Sequence, residues 1–284
     1  MREKKRKKKT ATLLLIGALL IGLSLLLYPT VSSYLNSLNQ TKEMASYSSD
    51  VERMDAGEYE RILSEAKEYN ARLAEREDMY ALPPWAREQY GEQLKLGSSD
   101  VMGVLTIPAI KVDLPIYHGT SEAVLNRGAG HLEWSSLPVG GESSHAVITG
   151  HRGHPSSWLL TDLAKLETGD RFMIRVLGET LVYEVERITS VLPEVLTPLA
   201  IEQGEDLCTL ITCTPYGVNT HRLLVIARRT DPEQSRVYTA ISEAVEIDPV
   251  IVAPILSIPL IAALLIAVMA DGSRRRTGQG DDSV

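Results

Sequence analysis

Two uncharged apolar runs, one near each end, constrain this chain most, because only the stretch between them is free to build a water-facing domain. Ala11 to Tyr28 carries no charge and is dense in leucine, with Leu13-Leu14-Leu15-Ile16 and Leu25-Leu26-Leu27 within it. Val250 to Ala270 is also uncharged, and about 21 residues at about 1.5 Å each match the roughly 30 Å of a bilayer core. Pro254 and Pro259 lie inside that second run, where a spanning helix tolerates them better than a soluble one does. Arg2, Lys4, Lys5, Arg6, Lys7, Lys8 and Lys9 precede the first run, and Arg274-Arg275-Arg276 follow the second. Positive flanks stay cytoplasmic, so the pattern predicts two membrane helices, both termini inside, and an extracellular middle. The first run also fits a cleaved signal peptide with small residues at Val31-Ser32-Ser33. Retention is favoured, since the run is long for such a segment and no Ala-x-Ala site follows.

With the tails set aside the charge picture changes. The whole chain has a formal net charge of −8; the middle alone stands at about −14 by the usual side-chain charges. So acidic a domain argues against nucleic acid as a partner. The basic N-terminal run reads instead as a topology signal beside anionic lipid.

Both cysteines, Cys208 and Cys213, lie in the β-branched, apolar run Leu207-Cys208-Thr209-Leu210-Ile211-Thr212-Cys213. Five strand residues separate them by about 16 Å, beyond the roughly 7 Å that a disulfide can bridge. Odd spacing also sends them to opposite faces of a strand. Two free thiols are therefore expected.

Between the runs the texture changes once. From about Asp50 to Leu96 apolar residues recur every three or four positions, as at Ile62, Leu63, Ala66, Tyr69 and Leu73, which is a helical pattern. Leu82-Pro83-Pro84-Trp85 breaks it. From Val101 to Arg229 come short strands: Val104–Ile107, Val112–Tyr117, His145–Thr149, Phe172–Leu177, Leu181–Val191, Leu207–Cys213 and Leu223–Arg228. Short helical pieces fit at Glu122–Arg127 and Ser157–Leu166. So many strands in about 130 residues predict a mainly β fold, a closed or nearly closed barrel.

Cys213 ends its strand at a Pro/Gly turn, where a side chain can face a cleft. A lone cysteine is usually a small buried hydrophobe, and Cys208 fits that description. For Cys213 a base and a cation nearby would favour a reactive thiolate. The available bases are His118, His131, His145, His151, His154 and His221; each alone is more often structural. His151 follows a strand inside Gly150-His151-Arg152-Gly153. Arg222 follows Cys213 after a loop and the start of a return strand. His221 competes as base, but strand neighbours face opposite ways, so His221 and Arg222 should not both face Cys213.

Taken together, Thr209-Leu210-Ile211-Thr212-Cys213, Gly150-His151-Arg152 and His221-Arg222-Leu223-Leu224 strongly resemble the sortase family. Leu114-Pro115-Ile116-Tyr117-His118-Gly119-Thr120, Gly130-His131-Leu132-Glu133 and Cys213-Thr214-Pro215-Tyr216-Gly217 look like its pilus-building, class C branch. The resemblance implies an eight-stranded barrel with Cys213 as nucleophile, His151 as acid/base and Arg222 as donor to the reacting carbonyl. It further implies transpeptidation: an LPXTG-like sorting signal is cleaved through a thioester and passed to a lysine amine of a pilin. A lid before the barrel is also implied, with Pro84 and Trp85 matching the end of an Asp-Pro-aromatic motif and Trp85 expected over Cys213. Pro83 stands where that motif has aspartate, so the latch is expected to be weak.

The expected organisation is a cytoplasmic tail (1–10), a membrane helix (11–28), an extracellular helical region (29–100) with the lid at about 78–90, the barrel (101–230), a juxtamembrane segment (231–249), a membrane helix (250–270) and a cytoplasmic tail (271–284). No cofactor or metal is expected, because no Cys-x-x-Cys or His-x-x-x-His spacing occurs. Alternative functions are a housekeeping sortase that attaches surface proteins to cell-wall peptide, and a non-catalytic pilus scaffold. A papain-like protease fits poorly, since its cysteine opens a helix.

Overall fold

In the computed structural model, helix α1 (Arg2–Arg53) runs from the basic tail through the apolar segment and onto the folded domain. The structure describes residues 2–97, 99–153 and 159–230, with side chains from residue 16 onward except that of Leu26. The expected juxtamembrane segment (231–249), second apolar span (250–270) and C-terminal tail (271–284) lie outside the described residues, as do His154 and the start of the helical piece expected at Ser157–Leu166. All of the described residues belong to one compact unit within residues 1–243. Among them no single helix is long and apolar enough to cross a membrane; a pair bent by 41°, Ile16–Leu25 with Leu27–Arg53, meets the requirement together by length and composition.

The far end of α1 is fastened to the barrel by polar groups that would otherwise be buried without partners. The Tyr47 hydroxyl donates to the carbonyl of Met102 (3.2 Å) and accepts from the N–H of Leu177 (2.9 Å). Gln40 donates to the carbonyl of Arg127 at 2.8 Å. The helical periodicity expected to run on from Asp50 is interrupted at Met54-Asp55. There the Asp55 side chain accepts from the N–H of Glu58 and caps a new helix, α2 (Ala56–Ala74), the preferred way to satisfy a first-turn donor. Helix α2 buries Ile62, Leu63, Ala66, Tyr69 and Leu73 along one stripe. Pro84 opens the short α3 (Pro84–Gln89), where its missing N–H costs nothing.

Eight strands then close a barrel: β1 (Val101–Ile107), β2 (Val112–His118), β3 (Ala129–His131), β4 (Ser144–Thr149), β5 (Arg171–Val176), β6 (Glu179–Val191), β7 (Asp206–Thr214) and β8 (His221–Arg229). Around the barrel they stand in the order β1-β2-β3-β4-β7-β8-β6-β5. A short helix, α4 (Glu122–Leu125), precedes β3. Closure gives each of the eight strands a neighbour on both sides, which limits pairing with another chain. The seven expected strands are present with ends shifted by a few residues. The eighth, β3, is three residues long with Gly130 at its centre. A Cβ at Gly130 would run into the carbonyl of Gly119, so a close backbone approach replaces the apolar pattern by which a strand is usually read.

Strands β4, β7 and β8 bury both faces. One face joins the main core through Ala146, Ile148, Cys208, Leu210, Leu223, Val225 and Ala227. The other carries a second, smaller cluster of Val147, Ile211, Leu224 and Ile226 with Leu199. Burying each such side chain contributes roughly 1.5–3 kcal/mol. The row of side chains in the small cluster leads to Cys213.

Candidate active site

Strand pairing places three expected residues side by side. Strands β7 and β8 are antiparallel, with Cys213 directly opposite Arg222 and Thr214 opposite His221. Strands β4 and β7 are parallel, in a register that runs from Ser144↔Asp206 to Thr149↔Ile211. The same register continues past the strand end: Gly150 donates its N–H to the carbonyl of Ile211 (3.1 Å) and accepts from the Thr212 hydroxyl (2.9 Å). Two residues on, Arg152 Nη1 donates to Thr214 Oγ1 at 2.9 Å. His151 lies between these contacts, and so beside Cys213. The nucleophile candidate is thus flanked by His151 on the β4 side and by Arg222 on the β8 side, all three half-buried.

Face assignment follows from alternation along the strand. Cys208 belongs to the main core and is fully buried, while Ile211 belongs to the second cluster. Cys213, two residues beyond Ile211, therefore shares the outer face. Both thiols are free. Burial pushes the Cys208 thiol well above its usual range, with the Asp206 charge adding to the effect; an inert thiol results. His221 pairs with Thr214, so it alternates away from Cys213, and its Nδ1 lies 2.9 Å from the Thr220 hydroxyl. The Arg222 guanidinium is held by two backbone carbonyls, those of Asn219 (3.3 Å) and His221 (3.2 Å).

Two buried histidines, given no role by the sequence, build the walls of this face. His145 Nδ1 lies 2.8 Å from the carbonyl of Ala200, so it must carry the proton and donate; Nε2 then accepts from the Thr209 hydroxyl at 2.7 Å. This bond ties the connector between β6 and β7 (residues 192–205) to the barrel, with Leu196 and Leu199 of that connector covering the small cluster. Burial lowers the His145 pKa. On the other side, His131 Nε2 donates to the carbonyl of Ser136 (2.8 Å), and Nδ1 faces the Tyr90 hydroxyl at 2.9 Å. That hydroxyl also accepts from the N–H of Gly119. Ser135 and Ser136 accept from the N–H groups of Val147 and His145. The network fixes the turn that sets Leu132 and Trp134 against the small cluster. His131 is fully buried, which pushes its pKa down to about 4.

The residues where a lid was expected (78–90) follow α2 and include α3. Trp85 packs edge-on against Tyr69 (5.3 Å between ring centres), and the Arg72 guanidinium lies 3.7 Å over its ring. Pro83 supplies no side-chain cap to α3. Tyr80 packs edge-on against Trp134 at 5.7 Å, and Trp134 in turn packs on the small cluster. Arg76 anchors this stretch by donating to the carbonyls of Met79 and Trp134. Beyond α1, the large apolar side chains that stand exposed among the described residues are Leu192, Val195, Tyr216 and Val218. They lie on the two loops that flank Cys213 and Arg222. No group of three or more His, Cys, Asp or Glu side chains is gathered for a metal among the described residues.

A sequence profile of the Sortase domain matches residues 105–230. The crystal structure of sortase C1 from Streptococcus agalactiae is 45% identical, with a TM-score of 0.65, over 67% of this chain and 98% of that one. The chain belongs to the sortase family, in its class C branch.

Sortase C of Streptococcus pneumoniae is similar at 42% identity and a TM-score of 0.60, covering 66% of this chain and 96% of that structure. Among curated proteins, Sortase A of Streptococcus agalactiae is 27% identical over 138 residues and Sortase A of Bacillus anthracis 28% over 130. These matches span 55% and 60% of those proteins' lengths. The eight-stranded sortase barrel that the sequence motifs implied is therefore present, with Cys213 and Arg222 on the paired strands β7 and β8 and His151 two residues past the end of β4.

Proposed function

We propose that this sortase is a cysteine transpeptidase that joins pilin subunits. The observation that carries the reading is the pairing of Cys213 with Arg222 across β7 and β8, with His151 just past the end of β4, the other neighbour of β7. The Cys213 sulfur attacks the Thr–Gly carbonyl of an LPXTG-like sorting signal. Arg222 donates to the developing oxyanion or to the neighbouring substrate backbone. The C–N bond breaks, His151 gives its proton to the departing amine, and a thioester remains on Cys213. A lysine amine of a second pilin then attacks the thioester; an isopeptide bond forms, and the thiol is restored.

The pilin assignment is supported by likeness to sortase C1 and to the pneumococcal sortase C, whose structure was described in terms of pilin substrate specificity. Attachment to cell-wall peptide uses the same three residues and differs only in the acceptor amine. Offering the thioester enzyme a pilin lysine and a wall-peptide amine in competition separates the two: isopeptide product supports the pilin role, and wall-peptide product alone contradicts it.

Residues 76–85 form the gate in this reading. A lid mutant of the Streptococcus agalactiae enzyme has been crystallised, and here Tyr80 lies on Trp134, which packs on the small cluster, while Trp85 fastens the segment to α2. The basic tail and the two apolar runs support a membrane-anchored enzyme with its barrel outside the cell and both ends in the cytoplasm.

A further inference from the structure

We propose that Tyr216 is the positioning residue for His151. The inference rests on the acid/base role given to His151 above. His151 lies past the last ladder pair of β4, Thr149↔Ile211, so sheet pairing alone does not hold its loop. The loop is tied at several points: Gly150 to Ile211 and Thr212, Arg152 to Thr214, the His151 carbonyl to the N–H of Leu160 at 3.2 Å, and the Gly153 N–H to the Thr161 hydroxyl at 3.0 Å. Those bonds hold the backbone through β7 and through residues 160–161. The Tyr216 ring adds a packing contact at residue 153.

Gly153 has φ +70°, and a Cβ there would stand 2.5 Å from Tyr216 Cε2 and 2.8 Å from Cζ. The ring therefore lies flush on the backbone of residue 153, which only glycine permits both sterically and conformationally. Tyr216 is three residues past Cys213 on the chain, and Gly153 is two past His151. With the Arg152–Thr214 bond, the ring makes a second tie between the loop that carries the acid/base and the loop that follows the nucleophile. Yet Tyr216 is 61% exposed, too open to be needed for the core. A large aromatic held in the open against a glycine beside the site serves the geometry of that site. The ring carbons do this work, and the hydroxyl is dispensable. Such positioning is worth a great deal: a displacement of about 1 Å can cost on the order of 10²-fold in rate.

The test uses the purified full-length chain with ¹³C-labelled histidine, as wild type, Tyr216→Ala and Tyr216→Phe. Turnover of a sorting-signal peptide gives kcat and KM; the His151 ring signal, assigned by its loss in His151→Gln, is followed without peptide. Tyr216→Ala is expected to lower kcat about 10-fold or more, to leave KM within about two-fold, and to shift or broaden the His151 signal. Tyr216→Phe should match wild type in all three. Gly153→Ala, which puts a methyl where the ring lies, should reproduce the alanine result by a second route. An unmoved His151 signal with full kcat in Tyr216→Ala overturns the proposal, as does a rise in KM alone, which would make Tyr216 a substrate contact. A loss in Tyr216→Phe equal to that in Tyr216→Ala overturns the packing argument. If wild type fails to turn over any sorting peptide, the proposed function falls, and the His151 signal still decides the role of Tyr216.

Discussion

Cys213 and Arg222 are direct partners across the β7–β8 ladder. Neither is free to wander, because each is one rung of an antiparallel pair that continues through Thr212↔Leu223 and Ile211↔Leu224. The Arg222 guanidinium is held by the carbonyls of Asn219 and His221; in the proposed reaction it is a donor set beside the thiol before the substrate arrives, the form of stabilisation that counts most in acyl transfer.

Arg222→Ala should therefore slow thioester formation about 10²–10³-fold while leaving the melting temperature nearly unchanged. Arg222→Lys should recover little, because an ammonium keeps the charge and loses the planar fork. Single-turnover acylation measures both. A lysine variant with full activity would show that charge alone is used.

His151 and His221 make opposite predictions. His221 is paired with Thr214 and alternates away from the thiol, so His221→Ala should acylate within a few-fold of wild type. His151→Ala should lose acylation. If the reverse held, the acid/base would be misassigned.

Stability should fall as pH drops from about 6.5 towards 4. Burial lowers the pKa of His131 to about 4 and lowers that of His145 as well. Between the folded and unfolded values the unfolded chain binds more protons, so stability rises with pH across that window and is fully present above it. Both histidines also spend their one N–H on a carbonyl and need the second nitrogen bare: Nδ1 of His131 for Tyr90, and Nε2 of His145 for Thr209. For His131 alone the loss is on the order of 3 kcal/mol. Asp206 has the opposite sign, since burial raises its pKa, and works against this loss. Urea midpoints at pH 7, 6, 5 and 4 give the slope, and a flat profile would contradict the tautomers assigned here.

Trp85→Ala should raise turnover of a sorting-signal peptide several-fold, because loss of the ring frees residues 76–85 from Tyr69 and Arg72. Unchanged turnover with a lower melting temperature would make Trp85 a packing residue of α2 and α3 and no part of a gate.

Much of this was legible in the sequence, for reasons that differ from residue to residue. The spacing of Cys208 and Cys213 forced two free thiols on opposite faces, because strand alternation is local and has a period of two. His151, Cys213 and Arg222 stand at or just past strand ends beside turns, but the resemblance of their motifs to the sortase family is what singled them out. Their adjacency depends on β4 pairing with β7 in parallel, a long-range choice that no local pattern encodes. Strand β3 was missed because three residues around a glycine carry no periodicity. The break at Met54-Asp55 was missed because the apolar stripe runs on through it. Trp85 was expected over Cys213 from its motif, while its ring is engaged by Tyr69 and Arg72, partners on a different helix. The wall-building roles of His131 and His145 left no mark in composition, since a buried histidine with two satisfied nitrogens looks like any other histidine in a row of letters.

The central claim is that Cys213, served by His151 and Arg222, forms a thioester with a sorting signal. Intact-mass analysis after mixing the chain with an LPXTG-like peptide, followed by peptide mapping, tests it most directly. The account predicts an acyl adduct on Cys213 and none on Cys208, absent in Cys213→Ala and discharged by an added amine. No adduct in wild type or in Trp85→Ala, or an adduct that survives Cys213→Ala, would contradict it.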